Sequence, residues 1–486
     1  MPIHRSQFLI AAAHSGAGKT TLTLGLLRAL QQRGYTIQPF KCGPDYIDPL
    51  HHTTAAHRES INLDQYMMSA GYIKQLYHRH TIDADVAITE GVMGLFDGAR
   101  KREGSSADLA LLLELPVILV LNAKAMAYSA AALLYGLTNF DPRLKIAGVI
   151  FNFVDTDSHY KFLQEACEDV GIKALGHLPG NNALRIPSRH LGLDTADASA
   201  AIDAAARHIE KHLDLDAILE ATATAMAPPT DVPALSPPGP SLTDPGTPWP
   251  TNAPAPAGKT VLVARDAAFH FLYPENLRRL EAYGRIQFFS PLENTHLPPA
   301  DLLYLPGGYP ECYLEKLSGN TSLLNDIKGH ADNGGRILAE CGGMMVLGNA
   351  IIDDTGKPWP MAGILDCTTS IQEKKLHLGY RTLTLDGQTL KGHEFHYSQF
   401  TTPPAAAAQP NTPAAASAGT NFPPEAPTIH NARGQQLSAP VFYGPNIFAS
   451  YMHFYWGETL GPLQNWLNSP LSPPQPSPTQ RPSARQ

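Results

Sequence analysis

Short apolar segments recur along the N-terminal part of the chain and alternate with segments of helical pattern. The uninterrupted hydrophobicity of VILVL, at 117–121, is typical of a strand that is buried on both faces of a sheet. Segments such as 127–137 and 160–170 have helical patterns and separate the apolar runs. This alternation predicts a parallel α/β sheet with helices on both faces. The predicted strands are 8–10, 37–40, 86–89, 117–121 and 146–151.

A second alternating pattern begins after a long polar segment. From about 225 to 258 the chain is rich in Pro, Ala, Thr and Ser, a composition that cannot bury enough apolar surface to offset chain entropy. We therefore predict an α/β chain of two doubly wound domains. The predicted parts are a first domain at 1–215, a linker at 216–258, a second domain at 259–467 with a disordered insertion at about 401–439, and a disordered tail at 468–486. The strands expected in the second domain are 260–264, 286–289, 302–305 and 337–339.

Composition excludes several classes of protein. The net charge of −8, from 36 basic and 44 acidic residues, argues against a nucleic-acid partner, which requires clustered basic residues. The longest apolar region, 109–121, is interrupted by Glu114 and Pro116, so we expect no membrane partner. No signal-peptide pattern opens the sequence, and the five cysteines are scattered, as is typical of a reducing compartment. We expect a cytoplasmic protein; a homodimer is compatible with the sequence.

The segment SGAGKTT, at 15–21, lies between an apolar strand and a helical pattern. Backbone N–H groups of such a loop surround phosphate oxygens, and the helix N-terminus adds partial positive charge. Lys19 is placed to reach the β- and γ-phosphates and Thr20 to hold Mg²⁺. The motif usually begins with glycine, whereas this chain has Ala13; the alternative is an ordinary turn with a surface lysine. The predicted phosphate-binding residues of the loop are Ser15, Gly16, Gly18, Lys19, Thr20 and Thr21.

Charged side chains follow two further strands of the first domain. In KCGPDYIDP, at 41–49, Lys41 is suited to a phosphoryl group and Asp45 to a Mg²⁺ shell, although a solvated loop would have the same composition. Glu90 ends a strand, where P-loop enzymes place an acidic residue towards Mg²⁺. Asp97 follows in a glycine-rich loop and either meets the substrate or phosphoryl group or caps a turn.

Asn122 and Asn152 each close an apolar strand of the first domain. Their amides are able to read an adenine edge. The alternative is that both are simple turn residues at strand ends.

The second domain carries a cysteine between a strand and a helical pattern, in ILAECGGMM. A glycine-flanked turn exposes a nucleophile, and a helix N-terminus lowers a thiol pKa, so we predict Cys341 as a nucleophile rather than a buried apolar residue. Backbone N–H groups near Gly308 and Gly342 are candidates for an oxyanion hole. His453, which follows a late β-type run, is the predicted base. The alternatives are His393 and His396, for which structural hydrogen bonding is the other interpretation.

Five motifs resemble the cobyrinic acid a,c-diamide synthase family. They are SGAGKTT, KCGPDYIDP, NLD at 62–64, EGVMGLFDG at 90–98 and IPSRHLGL at 186–193. The first domain is similar to dethiobiotin synthetase. The second resembles class I glutamine amidotransferases of the cobyric acid synthase type, which implies a flavodoxin-like sheet. Members of that class commonly carry Glu two residues after the histidine, where this chain has Tyr455; a subgroup relies on a Cys–His pair, and what orients the imidazole stays open.

The resemblance implies ATP- and glutamine-dependent amidation of the a and c carboxylates of cobyrinate or hydrogenobyrinate, a step of cobalamin biosynthesis. Glutamine is hydrolysed at Cys341 with His453, and ATP–Mg²⁺ activates the substrate as an acyl phosphate. By this resemblance the Mg²⁺ ligands are Thr20, Asp45 and Glu90, the phosphate contacts are Lys19 and Lys41, and Asn152 contacts adenine. The residues implied near the activated carboxylate are Tyr46, Ile47, Asp48 and Asp97.

Three alternative functions remain open at this point. A nickel-sirohydrochlorin diamide synthase is a further relative, and cobyric acid synthase fits KCGPDYIDP and EGVMGLFDG less well. A P-loop ATPase switch with a regulatory second domain would not need an intact cysteine and histidine. Glutaminase activity separates the switch from the amidotransferases.

Overall fold

The computed structural model describes residues 4–181, 184, 195–225, 258–401 and 426–470. The chain divides into two compact units, Met1–Thr247 and Pro248–Gln486. Each contains parallel strands alternating with helices, so the predicted α/β class is confirmed. The motif segment 186–193 lies outside the described residues, as do 226–257, 402–425 and 471–486, where much of the predicted linker, insertion and tail falls. No helix in the described part of the chain is long and apolar enough to cross a membrane.

The first unit is built around one sheet with strand order β3-β2-β4-β1-β5-β6-β7, all parallel. A short eighth strand pairs antiparallel with the start of β1. The strands are β1 (His4–Ala12), β2 (Ile37–Cys42), β3 (Ile61–Leu63), β4 (Val86–Glu90), β5 (Val117–Asn122), β6 (Ile146–Asn152), β7 (Ala174–Leu178) and β8 (Ala223–Ala225). The helices are α1 (Lys19–Gln32), α2 (Ile47–Ala56), α3 (Ala70–Thr81), α4 (Ser106–Leu112), α5 (Ala130–Asn139), α6 (Asp157–Val170), α7 (Thr195–His212) and α8 (Leu215–Ala221).

The apolar runs form the centre of this sheet. Phe8 and Ile10 on β1 and Ile118 and Val120 on β5 belong to one buried cluster that also includes Leu26 on α1. Because β1 is bordered by β4 and β5, the loops that follow these three strands meet at one edge of the sheet. Open α/β sheets bind ligands at such carboxyl ends.

The boundaries of the first unit differ from the prediction. All of helix α8 except Leu215, and the whole of strand β8, lie within the stretch predicted as linker. Strand β8 pairs with β1 through His4–Ser6 and Ala223–Ala225. Folded structure therefore continues to Ala225 rather than ending at 215. The cause is tertiary pairing, since the short segment ATA carries no strand signal of its own.

The second unit has a main sheet with order β11-β9-β12-β14-β24-β23, parallel except for the edge strand β23. Its strands are β9 (Thr260–Ala264), β11 (Arg285–Phe289), β12 (Leu302–Leu305), β14 (Arg336–Glu340), β23 (Val441–Tyr443) and β24 (Ile447–Ser450). The helices are α9 (Pro274–Leu280), α10 (Leu314–Gly319), α11 (Thr321–Asp332), α12 (Gly342–Leu347) and α13 (Pro462–Asn468).

The second unit also contains smaller sheets that the sequence analysis did not predict. A two-stranded sheet pairs β10 (Phe269–Phe271) with β13 (Gly307–Gly308), and a four-stranded sheet has the order β16-β15-β17-β20. A five-stranded sheet has the order β22-β21-β18-β19-β25. The remaining strands are β15 (Ala350–Ile352), β16 (Pro358–Pro360), β17 (Thr368–Ser370), β18 (His377–Leu385), β19 (Gln388–His396), β20 (Gln399–Phe400), β21 (Thr428–Asn431), β22 (Gln436–Leu437) and β25 (His453–Phe454). Strands β21 and β22 lie within the predicted insertion at 401–439, which is therefore folded in part.

Candidate functional site

The loop between β1 and α1 has the backbone that a phosphate-binding loop requires. Gly16 and Gly18 have φ of 81° and 95°, a left-handed conformation that favours glycine. Gly18 has a second constraint, because a Cβ there would lie 2.1 Å from the amide nitrogen of Asn152. That amide donates to the Ala17 carbonyl at 3.0 Å, and its oxygen accepts from Phe153 N. Asn152 thus holds the loop from β6; its predicted contact with adenine stays a prediction.

Lys19, the first residue of α1, is held by the loop after β4. Its Nζ donates to the carbonyls of Met93 at 2.6 Å and His14 at 3.4 Å. Burial lowers the pKa of Lys19. The nearby charge of Glu90 raises this pKa, but by less than burial lowers it. In the same loop the carboxylate of the exposed Asp97 accepts from Gly94 N at 3.0 Å. The predicted capping role of Asp97 is therefore present, and its predicted contact with substrate stays a prediction.

Glu90 is the centre of a buried polar cluster at the end of β4. Its Oε1 accepts from Thr20 Oγ1 at 2.6 Å and from Lys41 Nζ at 3.0 Å, and its Oε2 lies 2.6 Å from His52 Nε2. Lys41 also donates to Asp48 at 2.5 Å. Burial by itself would raise the pKa of Glu90, but Lys41 and His52 outweigh it and hold this pKa below its usual value.

Lys41 has a different environment from the predicted one. It is only 3% exposed. Burial opposes its charge, yet Asp48, Glu90 and Asp45 raise its pKa above the usual value. In this arrangement Lys41 neutralises two carboxylates, and its predicted phosphate contact stays a prediction.

The segment after β2 forms the start of α2. The carboxylate of Asp45 accepts from the backbone of Ile47 at 2.9 Å and Asp48 at 3.1 Å, and so caps the helix. Asn62 donates to the Asp45 carbonyl at 2.7 Å and ties this turn to β3. Tyr46 and Ile47, like Asp48, are buried. The structure thus brings the predicted substrate residues of this segment next to the predicted metal ligands.

A cavity of about 750 Å³ opens beside the loop. This volume is within the range of small-molecule sites. Candidate residues of the sequence analysis in its lining are Gly16, Gly18, Thr20, Thr21, Ile47, Asp48, Asn122 and Asn152. Lining residues that the sequence analysis missed include His51, Lys124, Asp155 and His208. His51 lies one helical turn after Asp48, a spacing that could have identified it; burial lowers its pKa.

The second unit places Cys341 in a strained turn between β14 and α12. Its φ of 46° and ψ of −108° lie outside the regions that side-chain-bearing residues usually adopt. The Cys341 N–H donates to Ser450 O at 2.8 Å. The turn needs close backbone approach, because a Cβ at Gly343 would lie 2.0 Å from the Leu305 carbonyl. The backbone thus forms the tight strand-to-helix turn that the sequence predicts, and the role of Cys341 as a nucleophile stays a prediction.

The two glycines predicted for the oxyanion hole lie together beside this turn. A Cβ at Gly342 would lie 3.2 Å from the carbonyl oxygen of Gly308 and 2.7 Å from Pro310. The Gly342 N–H also lowers the pKa of the Cys341 thiol. Gly308 itself approaches Ala268 so closely that a Cβ would lie 2.0 Å from its carbonyl oxygen. Their role in oxyanion binding stays a prediction.

The expected lowering of the thiol pKa is wrong in its net direction. Burial raises the pKa of Cys341 well above its usual value, and Glu311 adds to this, so the contribution of Gly342 is outweighed. His453 is fully buried, and its pKa lies well below the usual value. Burial is the main cause, and His393 lowers this pKa further. Burial thus favours the uncharged form of both side chains.

The other candidate histidines have structural contacts, as one interpretation of the sequence proposed. His396 Nδ1 lies 2.9 Å from Ser398 O, and its ring stacks on Tyr451 at 3.8 Å. His393 Nε2 lies 3.0 Å from the Tyr273 hydroxyl.

A residue that the sequence analysis missed lies next to the cysteine. Glu340 accepts from Tyr304 Oη at 2.9 Å and from Phe454 N at 2.9 Å, and burial raises its pKa to about 8. Glu340 directly precedes Cys341, and its bond to Phe454 N joins it to the residue that follows His453. Only the tertiary structure identifies this link.

Comparison with protein families assigns a domain to each unit. Residues 8–193 match the CobQ/CobB/MinD/ParA nucleotide binding domain, and residues 260–460 match the CobB/CobQ-like glutamine amidotransferase domain.

Individual relatives match over most of the chain. A hydrogenobyrinate a,c-diamide synthase of Brucella suis biovar 1 is 43% identical over 407 residues, which cover 80% of this chain and 88% of the relative. Two cobyrinate a,c-diamide synthases are each 36% identical. That of Priestia megaterium covers 95% of this chain and 96% of the relative. The match to that of Salmonella typhimurium covers 96% of this chain and 98% of the relative.

Proposed function

Because this chain belongs to the family of cobyrinate and hydrogenobyrinate a,c-diamide synthases, we propose that it amidates the a and c carboxylates of one of these two corrinoid-type acids. ATP activates each carboxylate and glutamine supplies the nitrogen. The reaction belongs to cobalamin biosynthesis. The observation that carries the proposal is the pairing, on one chain, of a phosphate-binding loop with a strained cysteine elbow.

The second unit hydrolyses glutamine in this proposal. Cys341 Sγ attacks the carboxamide carbon while His453 takes the thiol proton, so that charge forms only as the new bond forms. This order suits a thiol whose pKa is raised by burial and an imidazole whose pKa is lowered by burial. Backbone N–H groups near Gly308 and Gly342 stabilise the oxyanion. Ammonia leaves with a proton from His453, and water then hydrolyses the thioester to glutamate.

The first unit forms an acyl phosphate. A carboxylate oxygen of the substrate attacks the γ-phosphorus of ATP, and ADP leaves. Lys19 and the glycine loop hold the phosphates, and Asn152 contacts the adenine. Ammonia then attacks the acyl carbon, and phosphate leaves with formation of the carboxamide. Tyr46, Ile47, Asp48 and Asp97 border the activated carboxylate.

The polar cluster at the end of β4 fits a magnesium ion. The Thr20 hydroxyl and a Glu90 carboxylate oxygen are 2.6 Å apart, and such hard oxygen donors together with phosphate oxygens are what Mg²⁺ prefers. Among the described residues no group of three or more His, Cys, Asp and Glu side chains is placed to hold a metal ion. In this proposal phosphate oxygens of ATP complete the shell. We assign Thr20, Glu90 and Asp45 to the ion. When bound, Mg²⁺ neutralises charge on the β- and γ-phosphates.

Product analysis tests the proposal and chooses between the two acceptors. The protein is incubated with ATP, Mg²⁺, glutamine labelled with ¹⁵N in the amide, and either cobyrinate or hydrogenobyrinate, and products are identified by mass spectrometry. We expect one acceptor to gain two labelled carboxamides. Glutamine hydrolysis without amidation of either acceptor would contradict the proposal.

A cysteine variant tests the division of labour. Cys341→Ala is expected to lose amidation with glutamine and to keep amidation with an ammonium salt, because the activating site is unaltered. Cys312→Ala, at an exposed cysteine, is the matched control and should keep both activities. Loss of both activities in a folded Cys341→Ala protein would refute the two-site assignment.

A further inference from the structure

The imidazole of His453 needs an orienting group. Cysteine–histidine pairs usually have a third residue that orients the base. At the position two residues after the histidine this chain has Tyr455, which cannot supply a carboxylate. The groups that pack against His453 in the second unit show how the ring is held.

The backbone at His453 is fixed by hydrogen bonds on both of its edges. Strand β25 pairs with β19, with His453 opposite His393. The next residue, Phe454, donates its N–H to Glu340 at 2.9 Å and accepts from the Asn276 side chain at 2.8 Å. These bonds determine where the side chain starts, but they leave its χ angles open.

Rings and one glycine surround the imidazole itself. The His393 ring stacks on the His453 ring with centroids 5.1 Å apart and planes at 23°. The Phe271 ring lies 5.6 Å away at 58°. Gly307 contacts the same imidazole so closely that a Cβ would lie 2.1 Å from Cε1 and 2.8 Å from Nδ1. The ring is thus confined by packing.

His393 is itself held in place. Its Nε2 shares a hydrogen bond of 3.0 Å with the Tyr273 hydroxyl. The Tyr273 ring packs against Tyr455, with centroids 5.3 Å apart at 70°. Tyr455 therefore packs against the tyrosine that holds His393.

We propose that His393 is a positioning residue for glutamine hydrolysis, which sets the orientation of the His453 imidazole by ring stacking, with Gly307 limiting the ring's movement and Tyr273 holding His393. In this proposal the rings of His393 and Phe271, together with the backbone of Gly307, hold the imidazole. The inference rests on the proposed role of His453 as the base. It assigns the stacking face of His393, rather than its ring nitrogens, as the functional feature.

Two substitutions of His393 separate stacking from other roles. His393→Leu removes the flat ring, and misplacement of the base is expected to lower kcat of glutaminase by about 10- to 100-fold. KM for glutamine should change little, since His393 does not contact glutamine in this scheme. His393→Phe keeps a stacking ring but loses the bond to Tyr273, and should stay within about fivefold of the wild type. His430→Phe, on the same small sheet, is the matched control and should leave kcat unaltered.

Three readouts keep the inference falsifiable. Tryptophan fluorescence during thermal unfolding reports whether the second unit is folded, because Trp456 and Trp466 are buried there. Amidation with ammonium salt in the same preparation reports the activating site. Tyr273→Phe keeps the ring but removes the hydroxyl, and should lower kcat by about two- to fivefold. Wild-type kcat in His393→Leu, or equal loss in the Phe and Leu variants, would overturn the inference.

Glycine variants test the close approach of the Gly307 backbone to the His453 imidazole. Gly307→Ala should displace the imidazole and lower kcat, whereas Gly319→Ala, where a Cβ meets no atom within 4 Å, should not. An unaltered kcat in Gly307→Ala would count against confinement of the ring. His453→Gln distinguishes the two levels of the argument. If it keeps glutaminase activity, the base itself is misassigned; if it is inactive while His393→Leu is fully active, only the positioning inference fails.

Discussion

Lys41 provides the most quantitative test of the first unit. Its Nζ lies 2.5 Å from Asp48 and 3.0 Å from Glu90, and the relative exposures of the three residues are 3%, 4% and 1%. Replacement by methionine keeps most of the side-chain volume and removes the charge. Two carboxylates then remain buried without the ammonium group that lies against both of them.

The expected cost follows from this burial. Removal of one partner from a buried ion pair costs about 3–5 kcal/mol, because the other charge is left without compensation. We expect Lys41→Met to lower the free energy of unfolding of the first unit by that amount at pH 7.5. Lys173→Met, at an exposed lysine, is the matched control and should stay within about 0.5 kcal/mol of the wild type.

The cost should depend on pH in a defined direction. In the wild type the pKa of Glu90 is below its usual value despite burial, so Glu90 contributes stability above its unfolded-state pKa, and this is lost as the pH falls through the folded-state pKa. Without Lys41, burial favours the protonated carboxyl and raises this pKa. The difference between wild type and variant should therefore shrink from pH 8 to pH 5.

Urea unfolding monitored by two signals measures the effect. All four tryptophans lie at position 249 or later, so tryptophan fluorescence reports the second unit while far-ultraviolet circular dichroism reports both. The fluorescence transition should be unchanged, and the circular dichroism transition should begin at lower urea. A loss under about 1 kcal/mol, or one that does not vary with pH, would refute a buried charge cluster. Adding Asp48→Asn to Lys41→Met should restore part of the loss.

Three further predictions concern the two sites. Gly18→Ala should weaken ATP binding at least tenfold, because a Cβ at this position would lie 2.1 Å from the Asn152 amide nitrogen. Gly34 has a similar φ of 91° with open space around it, so Gly34→Ala should leave ATP binding unchanged. Equal ATP binding in both variants would contradict the argument. Glu90→Gln should abolish ATP turnover and leave glutaminase active, so unchanged ATP turnover would refute its magnesium role. Because burial lowers the pKa of His453, kcat/KM of glutaminase should persist below pH 6.5, and an acid limb at or above that value would show a protonated base.

Much of the fold and both loops could be predicted from local pattern. The predicted strands at 37–40, 117–121 and 337–339 all lie within strands of the structure. Glycines 16 and 18, and the turn at Cys341, were predictable because left-handed backbone and close approach select glycine at single positions. One usable signal was missed: Asp386-Gly387 is a two-residue hairpin turn that joins β18 and β19, with Leu385 paired to Gln388.

The sequence by itself determined the two α/β domains, the phosphate-binding loop and the cysteine turn, because periodicity and glycine placement are local properties. Only the tertiary structure decided that Lys41 meets Asp48 and Glu90, that His393 stacks on His453, and that burial raises the pKa of Cys341. The contacts of Lys41 with Glu90 and of His393 with His453 join strands that are distant in sequence, and no local pattern specifies which side chains meet at the edge of a sheet. Desolvation is likewise a property of the packed core, so the direction of a pKa shift follows from the fold rather than from neighbouring residues.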